Sequence, residues 1–90
     1  MSKKDLTDKE IEATILDKLA RKDMWSGTYR PTDSMIKWIS NRLKHNGRRV
    51  KIIIDDMSKR GLILFKKSGA VISLNPQKRE EILRIIGELY

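Results

Sequence analysis

The chain has 90 residues, a formal net charge of +8 and no cysteine. That length holds one domain, expected over residues 1 to 90 with a flexible tail at 1 to 6, and the lack of cysteine excludes a disulfide framework, a thiolate zinc site and a cysteine nucleophile. No apolar run approaches a bilayer span, and MSKKDLTDKE lacks the apolar core of a signal peptide, so a cytoplasmic protein in a reducing compartment with no membrane partner is expected.

Thr7 and Glu10 form a capping-box pair ahead of Ile11, Ile15 and Leu19, which recur every four residues. A first helix is predicted from about Thr7 to Lys22. Met24 to Thr32 contains Gly27 and Pro31, both helix breakers, with the aromatic pair Trp25 and Tyr29. It reads as a connector with a short strand at Thr28 to Arg30.

A second helix starts with Thr32 or Asp33 as its cap and presents Ile36, Ile39 and Leu43, with Met35 beside them. His45-Asn46-Gly47 ends it. A third helix follows over residues 48 to 60, with Val50, Ile53, Ile54 and Met57 at the spacing of a buried stripe, and Gly61 supplies the left-handed residue that stops it.

Leu62 to Lys66 and Ala70 to Leu74 are short, apolar and partly β-branched, and Ser68-Gly69 suits the turn of a hairpin between them. Asn75 then caps a last helix with Pro76 at its first position, and Ile82, Ile85, Ile86 and Leu89 form its apolar face. This order predicts an α+β domain: a winged helix-turn-helix with a three-helix core, a β-hairpin wing and a C-terminal helix.

The positive charge is unevenly spread. Residues 1 to 23 carry six Lys/Arg and six Asp/Glu, whereas Arg42 to Lys67 holds nine basic residues against Asp55 and Asp56, a balance of +7. An anionic partner is the functional reading, and a solubilising surface is the plainer one.

The chain resembles the small archaeal winged-helix DNA-binding proteins over about residues 7 to 89. The resemblance rests on Lys59-Arg60-Gly61-Leu62, ending the recognition helix ahead of a short wing, and on Ser73-Leu74-Asn75-Pro76, opening the charged helix that begins Lys78-Arg79-Glu80-Glu81-Ile82. It implies the fold more strongly than any one function.

Helical geometry extends this to single residues. If Val50, Ile53, Ile54 and Met57 face inward, a step of about 100° per residue puts Arg48, Ile52, Asp55 and Lys59 outward, flanked by Arg49, Lys51 and Asp56. Arg48 and Lys59 suit guanine O6/N7 or phosphate, with Lys51 beside them, and Ile52 suits a thymine methyl or instead a partner protein. Asp55 would repel phosphate unless it accepts from cytosine N4 or pairs with Arg48 or Lys59; otherwise this helix is not the reading face. Arg42, Lys44 and Arg49 are expected to anchor on backbone, and Lys66 and Lys67 form the wing tip, where the other role of lysine is to protect a sheet edge. About six phosphate contacts are expected from this set.

Trp38 falls off the apolar stripe and is expected to cover the connector with Trp25 and Tyr29. Catalysis has little support, because the lone His45 falls in a turn, the acids of the first helix read as a solvated face, and no phosphate loop, nucleophile elbow or metal spacing appears. No cofactor, metal or small-molecule effector is expected. Leu83 and Tyr90 lie outside the stripe of the last helix and favour a homodimer through the terminal helices over a monomer. The reading is thus a non-enzymatic DNA-binding transcriptional regulator, against a winged-helix protein-interaction module that ignores nucleic acid.

Overall fold

The structure, a computed structural model, describes residues 7–25, 28–41 and 47–89. Four α-helices and three short strands follow the order α1 (Asp8–Arg21), β1 (Arg30–Pro31), α2 (Thr32–Ser40), α3 (Gly47–Lys59), β2 (Ile63–Lys66), β3 (Val71–Leu74) and α4 (Arg79–Leu89), with a 3-10 turn at Pro76–Lys78 leading into α4. The strands form one antiparallel sheet in the order β1-β3-β2. The class is therefore α+β.

Each helix boundary has a local cause. Thr7 caps α1 by accepting from the Glu10 N–H at 3.2 Å, while the Glu10 carboxylate accepts from the Thr7 N–H at 3.0 Å. At the other end Asp23 takes φ +57°, Met24 N–H donates to Leu19 and Asp23 N–H to Ala20. That paired pattern closes a helix around a left-handed residue, a role usually given to glycine. The same closure ends α3, where Gly61 takes φ +79° and Leu62 N–H donates to Met57.

Helix α2 departs from expectation at both ends. Its N-cap is Pro31, with no side-chain cap, and Thr32 is already helical, its N–H held by the Ala70 carbonyl at 2.9 Å. The hairpin replaces the expected Thr or Asp cap. The helix stops at Ser40, with Asn41 as its C-cap, short of the expected end at His45; residues 42 to 46 lie outside the described residues, as does the tail at 1 to 6.

The first strand, Arg30–Pro31, starts two residues and ends one residue later than predicted. A proline lacks the N–H a central strand needs, and β1 is an edge strand, so its presence there costs no ladder bond. Upstream, Met24 accepts from Leu74 N–H and from the buried Ser73 Oγ, both at 2.7 Å, which fastens the connector to β3.

The hairpin pairs Ile63 with Leu74 and Lys66 with Val71. Its turn spans residues 67 to 70, wider than Ser68-Gly69 alone: Lys67, Ser68 and Gly69 all have positive φ, at +54°, +57° and +90°. Two of the three are non-glycine residues in a conformation that crowds Cβ, so the tip is a strained turn.

The core gathers one stripe from every helix. Ile11, Ile15, Leu16 and Leu19 of α1 meet Met35 and Ile39 of α2, Val50, Ile54 and Met57 of α3, and Ile82 of α4, with Leu62, Ile63, Ile72 and Leu74 closing it from the hairpin. In α2 the fully buried pair is Met35 and Ile39, and Ile36 is only half-buried. Asn75 joins the two ends of this assembly, because its Nδ2 donates to the Gly61 carbonyl at 2.8 Å and its Oδ1 accepts from Gln77 N–H at 3.0 Å. The Ser-Leu-Asn-Pro corner is thus the clamp between the end of α3 and the entry to α4.

Candidate nucleic-acid interface

The inward stripe of α3 falls as its spacing requires: Val50, Ile53, Ile54 and Met57 are all buried. Geometry then leaves Arg48, Lys51, Ile52, Asp55, Asp56 and Lys59 exposed. Ile52 is 62 % exposed, the greatest exposure of any large apolar side chain among the described residues. An isoleucine that open to water, set between cations on a helix with an intact core face, adds little to the core among the described residues.

Two arginines of the basic stretch turn away from this face. Arg49, expected on DNA backbone, is half-buried and forks onto Asp8 of α1, with Nη2 at 2.8 Å and Nε at 3.0 Å from Oδ1. Arg60 pairs with Glu12 of α1 and also with Asp56, at 3.0 Å, one turn back on α3. The acids of α1 therefore do more than solvate its outer face: Asp8 and Glu12 pair with arginines near opposite ends of α3.

Asp55 is exposed on α3, as its spacing requires. It lines a recess with Lys51, one turn before it, and with Asp33 at the start of α2. The recess runs on to Phe65 and to the hairpin turn at Ser68 and Gly69. This carboxylate therefore lies on the edge of α3 that borders the hairpin. Its neighbour Asp56 pairs with Arg60.

Lys66 and Lys67 are exposed at the hairpin tip. Lys66 Nζ lies 5.5 Å from the centre of the Tyr29 ring, so the connector supports this lysine through a cation–π contact. Sequence reasoning grouped Tyr29 with the other aromatics and missed that pairing, which depends on β1 lying beside β3 across a gap of some forty residues. Trp25 and Trp38 likewise each hold a separate cation: Arg79 of α4 at 4.9 Å and Lys18 of α1 at 4.1 Å. Trp38 thus packs toward α1, where the expectation had it covering the connector.

Arg42, Lys44 and His45 lie outside the described residues, and so does Tyr90. Leu83 is exposed on α4, at 45 %. Among the described residues no group of three or more His, Cys, Asp or Glu side chains is placed to hold a metal ion, and no helix is long and apolar enough to cross a membrane. Comparison with family models, with curated proteins and with solved structures returned no match to this chain.

Proposed function

We propose that the chain is a non-enzymatic DNA-binding protein, a transcriptional regulator of the winged helix-turn-helix type, that places α3 in the major groove and the β2–β3 tip on adjacent backbone. The observation that carries this reading is Ile52, 62 % exposed in the middle of a cationic helix face. A groove-facing helix needs such a residue to touch a thymine methyl while its basic neighbours meet guanine edges and phosphates. Arg48 and Lys59 bracket it one turn up and two turns down, with Lys51 beside it.

The hairpin supports the same reading. Its tip carries the exposed Lys66 and Lys67 beside Ser68 and Gly69, which border the same recess as Lys51 of α3. The order of elements and the resemblance to small archaeal winged-helix proteins agree with it, and a cytoplasmic site of action follows from it. Arg49 leaves the contact set, since Asp8 holds it. The phosphate contacts then fall from about six to about five.

A mobility shift on mixed-sequence duplex tests the proposal. Lys59→Ala with Arg48→Ala should weaken binding by about tenfold or more, as loss of two charge contacts does. Asp8→Ala, which removes the carboxylate that Arg49 meets on α1, should leave affinity the same or slightly higher. Unchanged binding in the double variant would remove α3 from the interface.

A second reading has one observation in its favour. Ile52 and Leu83 together give two exposed apolar residues on different helices, which suits a protein-interaction module or a homodimer through α4. Under that reading Ile52→Asp abolishes capture of a partner protein while duplex DNA is ignored even at low salt.

A further inference from the structure

Lys66 ends β2 at the hairpin tip, exposed to solvent, with its Nζ 5.5 Å from the centre of the Tyr29 ring. The sheet explains how two residues so far apart in the chain meet. Val71 pairs with Pro31 on one side and with Lys66 on the other, so these three lie in one row across the sheet with their side chains on one face. Tyr29 lies two residues before Pro31, the step that returns an extended chain to the same face. The half-buried ring is thus set at the root of the tip by the pairing of β1 with β3.

The contact leaves the lysine able to meet an anion. An ammonium has three N–H donors, so a ring on one side leaves donors for a phosphate oxygen on another. What the ring changes is the entropy of the side chain. A lysine held in place before binding loses less rotamer freedom when it meets a phosphate, and that difference appears as affinity. Trp25 and Trp38 hold Arg79 and Lys18, neither of which belongs to the proposed DNA face. Tyr29 holds a cation that does.

We infer that Tyr29 is a positioning residue for DNA binding: its ring holds the Lys66 ammonium at the root of the tip, ready for a phosphate, without itself touching the duplex. The inference rests on the DNA reading above and adds to it a residue from outside the basic stretch.

The test is a mobility shift of one mixed-sequence duplex at low salt by the full chain and by Tyr29→Leu, Tyr29→Phe, Lys66→Ala and the Tyr29→Leu, Lys66→Ala double variant. Tyr29→Leu should weaken binding by about threefold, the value of one exposed cation–π contact. Tyr29→Phe keeps the ring and should bind as tightly as the parent chain. In the Lys66→Ala background Tyr29→Leu should have no further effect, because the group it positions is gone. An equal loss in that background would assign Tyr29 to the fold and overturn the inference, and a loss in Tyr29→Phe equal to that in Tyr29→Leu would assign the contact to the hydroxyl and overturn it too. Parent binding with Tyr29→Leu unchanged would remove the inference alone. A parent chain that does not shift the duplex would remove the DNA reading and the inference together.

Discussion

Asp23 is the residue whose chemistry least suits its backbone. It closes α1 in the left-handed region at φ +57°, where a Cβ crowds the following carbonyl. Asp23→Gly should therefore stabilise the protein by about 0.5–1 kcal/mol, read as a rise in the thermal midpoint. Arg49 and Asp8 give a second residue-scale prediction. Their pair is partly exposed, at 29 % and 74 % of the side chains, so a double-mutant cycle with Arg49→Ala and Asp8→Ala should return a coupling of only about 0.5 kcal/mol. The pair steers Arg49 away from solvent more than it stabilises the fold. A coupling of several kcal/mol would mean that the helix contact depends on it.

At the scale of elements, Asn75 joins the end of α3 to the start of α4 through two hydrogen bonds from one side chain. Asn75→Ala removes both and should destabilise the protein by about 1–2 kcal/mol in denaturant unfolding, whereas Asn75→Asp keeps the Gln77 acceptor and should lose less. Helix α3 was legible in the sequence because its signals are local: four apolar residues at helical spacing and Gly61 at the stop. The capping box of α1 was legible for the same reason. The start of α2 was not, because its first N–H is held by Ala70, and no local pattern at Thr32 or Asp33 reports a carbonyl on the hairpin. The fates of Arg49 and Arg60 were hidden in the same way. Their acids lie on α1, 41 residues before Arg49 in the first case, and only the packed α1–α3 pair brings them together. Asp55 was correctly read as exposed, but periodicity alone gives the angle around a helix and not what the neighbouring elements place beside that edge.

At the scale of the whole molecule, the charge that defines the chain is less concentrated on one surface than its sequence suggests. Of the basic residues between Arg42 and Lys67, Arg49 and Arg60 bind α1, Lys66 rests over Tyr29, and Lys51 borders a recess with two carboxylates. The proposed DNA face is centred on Arg48, Ile52 and Lys59 and completed by the hairpin tip. Such a face implies moderate affinity carried by few phosphates, with Ile52 contributing base preference more than strength. Ile52→Ala should accordingly flatten the preference among duplex sequences while changing non-specific affinity by less than about threefold. The measurement that bears most directly on the proposal is the salt dependence of duplex binding by the intact chain. About five phosphate contacts predict that log Kobs falls against log salt with a slope of about −4.5, made shallower by about 0.9 in Lys59→Ala. Binding that is absent at low salt, or a slope near zero, would contradict it.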